Sequence, residues 1–592
     1  MYDTNAFLNT ATHGGSVYMH TVRAAYDYDN IGVPCYLSLD LANGHTRTFR
    51  VCLPQPSSQE EAQFIRDYFY ARIYNILSIL GGVGMRVYPG ERAFARELAE
   101  NLPRVFGIGL AKEARQGYAK CVNVADRMNR ALGAPAFSFQ ISEGEAPDLG
   151  PVGDCPPGDI VQDLRTAASK AMDGLFCGID IGGTDIKLVG VRNGKIHHIK
   201  EYDWNPAGFP TIDPILQTVC LLVGASRALL SMPEQPSEAQ RLLAGRILDK
   251  GTPIQELGTA LAAFEASLGK IAPLQGIGVS FPDVVVRDRI VGGETHKTKG
   301  VREHAADYER EFARLTRLDL ELGKLCAPEG KVHITNDGHI SAYTAAVELA
   351  HSPQWEMVRD GIFAHSLGTE LGTGWIDASG KVPEFPLEVY NCIIDLGNFP
   401  AKALPAQDVR SINNFNTGLS GTLQRYAGQS GAFRLAEAYY RAHAPQAYQR
   451  LLELGLLRWE TPERLTVAVE PKDMRKAFLE HLMGQAEAGM PQAEEIFRTI
   501  GEYLAATWLE TETVLAPAAK SRVLFGRFVK RNRCFQLMRE GAKRICPQLQ
   551  LIAADDELAF TPLMQQLRAH PNYSVAQFGQ AVGAVYFAAA ML

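Results

Sequence analysis

Two apolar β-forming runs flank a Gly-Gly-Thr turn between Leu175 and Val191, and this pattern restricts the fold of the surrounding chain most strongly. It predicts a β-hairpin whose tip consists of Gly182, Gly183 and Thr184. Glycine lets backbone N–H groups approach a phosphate closely, and the threonine hydroxyl adds a further donor. An ordinary hairpin would need the same glycines for its turn, so the turn alone leaves both interpretations open.

Two charged side chains accompany this turn. Asp180 lies at the end of the first run, where a carboxylate can hold a Mg²⁺-bound water near a phosphate. Lys187 lies in the second run and is a further candidate contact for a nucleotide. Both residues are assigned to a candidate nucleotide site, with Asp180 as its metal contact.

Composition excludes several classes of protein. Of the 592 residues, 46% are hydrophobic and 21% are charged, which excludes a disordered, collagen-like or coiled-coil chain. The net charge of −7 gives no general attraction to nucleic acid or to an anionic membrane. The ten cysteines include no CxxC pair, which is typical of a reducing compartment. We therefore expect a cytoplasmic protein without a signal peptide and with neither a nucleic-acid nor a membrane partner.

The first 158 residues are predicted to form a separate α+β domain of unknown role. Alternating runs on either side of residues 43–44, an Asn-Gly pair, predict a hairpin. A serine at 57–58 is expected to cap a helix that ends at the glycines 81–82. Four prolines and four glycines at 143–158 indicate a linker.

Polar side chains also follow a later β-forming run. Ser280 lies in the run Gly276–Pro282, and Thr298 and Lys299 follow after a short interval. Their hydroxyl and ammonium groups are donors that suit sugar oxygens. A strand, a turn and a solvated lysine would explain the same residues without a ligand.

Asn336 and Asp337 end a further β-run and precede a predicted helix. Sites in α/β proteins collect at the C-terminal ends of strands, and a base needs only to come within hydrogen-bond distance of the proton it takes. An Asx turn that caps the following helix would use the same two residues. The two roles are compatible, so Asp337 is the predicted general base and Asn336 a predicted sugar contact.

A second glycine-rich stretch runs from Gly361 to Ile376 and contains Gly368, Thr369 and Gly372. Glu370 interrupts it with a carboxylate, which would repel a triphosphate unless a cation intervenes.

The order of these motifs resembles the sugar-kinase branch of the actin, Hsp70 and hexokinase superfamily, and in particular the ROK family (repressor, open reading frame, kinase). The DxGGT hairpin, the SFP and TKG elements, the Asn-Asp element and the LGTG turn occur in the family's order. Glu388 aligns with the glutamate of the ROK sugar element, and Gly526 with the turn of the adenosine motif. The cysteine-rich zinc motif of ROK proteins is absent, so we expect no structural zinc.

The resemblance implies an α/β fold with two ribonuclease-H-like lobes and an interlobe cleft, in addition to the N-terminal α+β domain at 1–158. The lobes are predicted at 159–335 and 336–592, the second with a helical insertion at about 395–500. The implied reaction is ATP-dependent, Mg²⁺-dependent phosphorylation of a sugar hydroxyl. The implied nucleotide contacts are Asp180, Gly182, Gly183, Thr184, Lys187, Gly368, Thr369, Gly372 and Gly526. The implied sugar contacts are Ser280, Thr298, Lys299, Asn336 and Glu388.

Three other classes remain open at this stage. Glu370 and the single glycine of the adenosine motif suit a non-catalytic sugar- or nucleotide-binding sensor. ROK transcription regulators share the same core, but they begin with a short helix-turn-helix, whereas the first 80 residues here are predicted to open with strand-like sequence and offer no basic recognition helix. A superfamily ATPase acting on a protein or acyl-CoA enzyme is the third class. The identity of the sugar is open, and a homodimer is a further expectation.

Overall fold

The structure is a computed structural model. It describes residues 3–28, 32–144, 159–292, 296–368, 371–398, 404, 408–414, 416–461, 464–467, 472–517, 519–554 and 558–592. The chain forms two compact units, each drawn from separate stretches of sequence. Unit 1 contains Met1–Asp154, His365–Thr373 and Phe385–Ala553, and unit 2 contains Cys155–Ala364, Gly374–Glu384 and Ala554–Leu592. The domain boundaries expected at 158 and 335 stay a prediction.

In the described residues, the N-terminal part of unit 1 contains five α-helices and a four-stranded sheet. Its elements are α1 (Thr4–Thr12), α2 (Met19–Tyr28), β1 (Gly32–Asp40), β2 (Thr46–Pro54), α3 (Gln59–Leu80), β3 (Gly84–Tyr88), α4 (Ala93–Val105), α5 (Lys120–Leu132) and β4 (Ser138–Ile141). The sheet has the strand order β2-β1-β3-β4. This part of the chain opens with two helices, so the prediction that it opens with strand-like sequence is wrong. Asp3 caps the first helix by accepting a hydrogen bond from the Ala6 N–H at 2.8 Å.

Two local predictions for this part are confirmed. β1 and β2 pair antiparallel around the Asn-Gly turn, where Gly44 has a φ of 85°. Ser58 caps α3 by accepting a hydrogen bond from the Glu61 backbone N–H at 3.1 Å. The Glu61 carboxylate in turn accepts hydrogen bonds from Ser57, and α3 ends at Gly81 with a φ of 65°.

Unit 2 contains most of the next part of the chain. Its elements are α6 (Ile160–Lys170), β5 (Leu175–Ile181), β6 (Asp185–Arg192), β7 (Lys195–Asp203), α7 (Asp213–Leu230), α8 (Glu238–Leu248), α9 (Ile254–Leu268), β8 (Leu274–Phe281), β9 (Val285–Val286), β10 (Arg289–Ile290), α10 (Lys299–His304), α11 (Tyr308–Phe312), α12 (Leu318–Gly323), β11 (Cys326–Asn336) and α13 (Asp337–Ala350).

The remaining elements belong to the hairpin of the second glycine-rich stretch and to the C-terminal part. They are β12 (Ile362–Leu367), β13 (Leu371–Ile376), α14 (Leu423–Tyr426), α15 (Gln429–His443), α16 (Pro445–Glu453), β14 (Leu457–Thr461), β15 (Arg464–Val467), α17 (Lys472–Glu487), α18 (Pro491–Leu515), β16 (Ser521–Gly526), α19 (Asn532–Ile545), β17 (Gln550–Ala553), α20 (Pro562–Arg568) and α21 (Val575–Ala590).

The sheet of unit 2 has five strands in the order β11-β8-β5-β6-β7. β5, β6 and β7 form an antiparallel meander, which confirms the predicted hairpin at the Gly-Gly-Thr turn. β8 pairs parallel to β5, and β11 pairs parallel to β8. This arrangement confirms the α/β class and has the ribonuclease-H-like strand order. A second sheet, in the order β13-β12-β16-β17, contains the other glycine-rich hairpin.

Helix α21 covers one face of the unit 2 sheet at very short range. A Cβ atom at Gly178 would lie 1.9 Å from the Ala581 carbonyl oxygen, and one at Gly278 would lie 1.8 Å from that of Ala584. Only glycine permits this approach of helix to strand. The apolar run that begins at Ala581 is therefore part of a helix packed inside the fold.

One described helix, α7, is long and apolar enough to cross a membrane by length and composition. In the structure it packs against β5 and β6, and 61% of it is buried inside the protein. Its side chains Ile215, Val219 and Leu222 belong to the core beneath the five-stranded sheet. The hydrophobic length of α7 is thus used in the core of unit 2.

Candidate active site

The C-terminal ends of three neighbouring parallel strands meet at one edge of the unit 2 sheet. In the register of the strands, Asp180 of β5 lies opposite Ser280 of β8, and Ser280 lies opposite Thr335 of β11. Asn336 ends β11 and Asp337 begins α13. The topology therefore brings four of the predicted site residues, Asp180, Ser280, Asn336 and Asp337, to the same edge.

Asp180 is held by its neighbour on β8. The Ser280 hydroxyl donates a hydrogen bond of 2.7 Å to Asp180 Oδ1, and Ser280 itself is fully buried. Burial raises the pKa of Asp180 to about 6, the Asp337 carboxylate adds to this rise, and Ser280 and Lys187 oppose it. The two carboxyl groups therefore interact electrostatically at this edge of the sheet. Lys187 Nζ donates to Asp185 Oδ1 at 2.5 Å, so this lysine lies beside the same turn.

The Gly-Gly-Thr tip presents backbone to solvent. Gly183 and Thr184 are exposed, and a Cβ at Gly183 would meet no atom within 4 Å. A Cβ at Gly182 would instead lie 2.6 Å from the Asp185 carbonyl oxygen, so this position excludes a side chain. Trp204 fixes the tip by donating its indole N–H to the Gly182 carbonyl at 3.0 Å. The tip is therefore accessible, with its backbone held by Trp204 at Gly182.

Asp337 begins helix α13, and Asn336 is its N-cap. The Asn336 side chain accepts a hydrogen bond from the Gly338 N–H at 2.8 Å and donates one to the Asp283 carbonyl at 2.9 Å. The capping role expected from the Asn-Asp pair is thus present. Burial raises the pKa of Asp337, and the charge of Lys297 opposes this rise.

Lys297 is a residue that the sequence analysis missed. It lies in the helical turn His296–Thr298, and 7% of its surface is exposed. Lys299, the predicted sugar contact, is exposed and forms an ion pair with Glu303 at 3.7 Å. Only the fold distinguishes these two lysines, because both flank the same threonine in the sequence.

Thr298 is fully buried, and its hydroxyl is already engaged. It forms hydrogen bonds with the Tyr308 hydroxyl at 2.9 Å and with Arg302 at 3.1 Å. These contacts fix the start of helix α10. Thr298 therefore positions the turn that carries Lys297, whereas a direct sugar contact by Thr298 stays a prediction.

A short hairpin braces the end of β11. β9 and β10 are joined by Arg287 and Asp288, which have φ values of 49° and 62°. The Asp288 carboxylate accepts a hydrogen bond from the Ile334 N–H at 2.8 Å and lies 3.3 Å from the His333 imidazole. The hairpin thus holds β11 two residues before Asn336.

Four of the predicted residues, Gly368, Gly372, Gly526 and Glu388, lie in unit 1. Gly526 has a φ of 103°, and a Cβ there would lie 2.1 Å from the Leu367 carbonyl oxygen. The end of β16 and the end of β12, which precedes the second glycine-rich turn, therefore adjoin. Thr369 and Glu370 lie outside the described residues.

Glu388 lies just before the helical turn Val389–Asn391. Its carboxylate accepts a hydrogen bond from Asn391 Nδ2 at 2.9 Å, and Asn414 donates to Asn391 Oδ1 at 3.0 Å. The Asn391 side-chain amide therefore supports the Glu388 carboxylate directly.

The candidate magnesium contact rests on one half-buried carboxylate. Among the described residues, no group of three or more His, Cys, Asp or Glu side chains is arranged to hold a metal ion. Mg²⁺ in phosphoryl-transfer sites keeps several waters and uses one or two carboxylates together with substrate phosphates. Asp180, with its raised pKa and its neighbour Asp337, fits this limited role, because a cation would offset the repulsion between the two carboxylates.

Among known proteins, the chain is similar only to solved structures. No family model and no curated protein matches the chain. A ROK family glucokinase from Streptomyces griseus in complex with glucose and AMPPNP is 16% identical, with a TM-score of 0.38, over 70% of this chain and 98% of that chain. A ROK hexokinase from Thermus thermophilus is 15% identical, with a TM-score of 0.34, over 66% of this chain and 98% of that one.

A ROK family transcriptional regulator, a homolog of the E. coli MLC protein, is 13% identical, with a TM-score of 0.38. This similarity covers 71% of the present chain and 81% of the regulator. ROK sugar kinases and a ROK regulator are thus among the structures to which this chain is similar. Similarity at this level decides neither activity nor substrate.

Proposed function

We propose that the chain transfers the γ-phosphoryl group of ATP to a sugar hydroxyl. The observation that carries the proposal is the meeting of Asp180, Ser280, Asn336 and Asp337 at one sheet edge, beside the exposed Gly-Gly-Thr tip. Carboxylates next to a backbone cradle for phosphate are the groups that phosphoryl transfer to an alcohol requires. The motif resemblance to ROK sugar kinases agrees with this chemistry.

In the proposed reaction Asp337 accepts the proton of the attacking hydroxyl. Burial raises the pKa of Asp337, so its carboxylate is a stronger base than an exposed aspartate. Lys297 opposes this rise and keeps the carboxylate available in its ionised form. Asn336, fixed by its two hydrogen bonds, is the proposed neighbour of the sugar.

The phosphate side of the site uses the glycine turn and Asp180. Backbone N–H groups of Gly182 and Gly183 and the hydroxyl of Thr184 are proposed to bind phosphate oxygens, with Lys187 nearby. A magnesium ion held through Asp180 would neutralise charge on the phosphates. Ser280 orients the Asp180 carboxylate for this purpose. Gly368, Thr369, Gly372 and Gly526 are proposed as the remaining nucleotide contacts.

The proposal is tested by an ATP-consumption screen across hexoses and amino sugars. We expect sugar-dependent turnover, and Asp337→Asn should reduce kcat at least 100-fold because the amide cannot accept the proton. Asp213→Asn is the matched control: Asp213 is also the first residue of a helix, but it lies on the surface. Sugar binding without turnover in the native protein would contradict the proposal.

The alternative with support in the sequence is a sugar sensor without catalysis. Glu370 and the single glycine of the adenosine motif, Gly526, motivate it. A sensor binds sugar with the same affinity in the presence and in the absence of ATP. Asp337→Asn then leaves both of these affinities unchanged. Retention of the native chain on DNA, released by a sugar, would identify a ROK-type regulator instead.

A further inference from the structure

The C-terminal end of helix α3 is bonded to the segment that carries Glu388. The Leu387 N–H donates to the Ile79 carbonyl at 3.0 Å, and the Glu388 N–H donates to the Ser78 carbonyl at 3.1 Å. Carbonyl groups in the last turn of a helix have no partner within the helix. The segment at 386–396 therefore completes the end of α3, and α3 in turn fixes the backbone at Leu387 and Glu388.

Asn75, one turn earlier in α3, forms hydrogen bonds to the same segment at a second point. Its Nδ2 donates to the Ile393 carbonyl at 2.9 Å, and its Oδ1 accepts from the Ile393 N–H at 2.8 Å. Asn75 and Ile393 are both fully buried. The side-chain amide thus imitates a neighbouring strand and satisfies both backbone groups of one residue.

A third attachment comes from the chain before α2. The Leu396 N–H donates to the Val17 carbonyl at 2.8 Å, and the Met19 N–H donates to the Ile394 carbonyl at 2.9 Å. The Val17 N–H donates to the buried carboxylate of Asp395 at 2.7 Å. The segment is therefore bonded at its start, middle and end to residues in the first 80 of the chain.

The backbone at Leu387 needs such support. Leu387 has a φ of 51°, in the left-handed region that a leucine rarely adopts. A conformation of this kind persists only where the surroundings determine it, and it is common where a neighbouring side chain must be aimed. The neighbour here is Glu388, whose carboxylate also receives the hydrogen bond from Asn391.

We propose that the first half of the N-terminal part, residues 3–28 and 32–88, is a scaffold that aims Glu388 at the substrate and so sets the affinity for sugar. The inference rests on the proposed function, because it takes Glu388 as a sugar contact. Asn75 is the central positioning residue: it touches no substrate and acts through the segment that it holds. Under this proposal the N-terminal part acts on the affinity for sugar.

The kinetic test is Asn75→Ala in the full chain, with Asn75→Ser as a milder second variant. We expect the KM for sugar to rise about tenfold, because a loosened segment misplaces Glu388, while kcat and the KM for ATP change less than twofold. Phe64→Leu is the control, since Phe64 is equally buried on α3 but lies about 16 Å away along the helix and stacks on Phe7. An equal rise in both KM values, or the same effect from Phe64→Leu, overturns the proposal.

Hydrogen exchange separates the scaffold from the proposed function. In Asn75→Ala the amides at 387–396 should exchange at least tenfold faster, while Phe64→Leu leaves them unchanged. Faster exchange in a protein that shows no sugar turnover overturns the proposed function and supports the scaffold. Unchanged exchange overturns the scaffold, whatever the turnover.

Discussion

The two lysines around Thr298 have opposite surroundings. Lys297 is buried and its charge lowers the pKa of Asp337, whereas Lys299 is exposed and paired with Glu303. The amino group of a buried lysine acts on its neighbours through a low local dielectric, and that of an exposed lysine is screened by water. We therefore assign the electrostatic role to Lys297.

This assignment predicts a change in pH dependence. Lys297→Met removes the charge that favours ionised Asp337, so the pKa of Asp337 rises and the acid limb of kcat/KM moves up by about one pH unit. Activity is then lost at low pH first, because only ionised Asp337 can accept the proton. Lys299→Met is the control and should leave the limb within about 0.2 units. A larger shift in the Lys299 variant would reverse the assignment.

The β9–β10 hairpin is hydrogen-bonded to β11, the strand that leads to Asp337, and so fixes its position. Its turn has two successive residues at positive φ, a geometry that favours Asn, Asp or Gly. Asp288 suits this turn and also accepts the hydrogen bond of the buried Ile334. The carboxylate thus has a conformational and a bonding role in one element.

Two substitutions separate these roles. Asp288→Asn keeps the turn preference and an acceptor, so the free energy of unfolding should change by less than about 1 kcal/mol. Asp288→Gly keeps the turn conformation but leaves the Ile334 N–H without its acceptor, and it should cost about 1–3 kcal/mol, with a lower kcat because Asn336 and Asp337 follow. Urea unfolding and steady-state kinetics measure both effects. Equal behaviour of the two variants would show that the hydrogen bond to Ile334 has no role.

The elements that sequence predicts well are those with local signals. Helix α3 is bounded by Ser58 and Gly81, and the hairpin of β5 and β6 by its glycines, because caps and turns depend on adjacent residues. The role of Lys297 and the attachment of Glu388 to α3 have no such signal. They depend on contacts between residues that are far apart in sequence, and several motif residues, including Thr298, have partners that only the fold supplies.

At the scale of the whole molecule, a buried ion pair joins the start and the end of unit 1. Arg72 of α3 donates to the Glu510 carboxylate of α18, and both side chains are almost fully buried. Burial alone would raise the pKa of Glu510, but the Arg72 and Arg23 guanidinium groups hold it below its ordinary value. The pair therefore couples two helices that are more than 400 residues apart in the chain.

Breaking this pair from one side should be costly. Glu510→Gln removes the carboxylate that is hydrogen-bonded to the buried Arg72 guanidinium, and we expect a loss of about 3–5 kcal/mol in the free energy of unfolding. Replacing both partners together, Arg72→Met with Glu510→Leu, should recover most of that loss. Glu97→Gln is the control. Glu97 of α4 forms a surface ion pair with Arg66, which lies on α3 like Arg72, so this substitution should cost less than about 1 kcal/mol. A single-variant loss no larger than this control would contradict the coupling.

The close fit of α21 onto β5 and β8 has a consequence for biosynthesis. β5 ends at Ile181 and α21 begins at Val575, so about 390 residues separate the strand from the helix that covers it. At about 5–20 residues per second, a ribosome needs roughly 20–80 s to make that stretch. During this interval the faces of Gly178 and Gly278 have no helix over them, and unit 2 cannot close its core. Unit 2 therefore folds late in the synthesis of the chain. We expect chaperones to bind the sheet face that α21 does not yet cover.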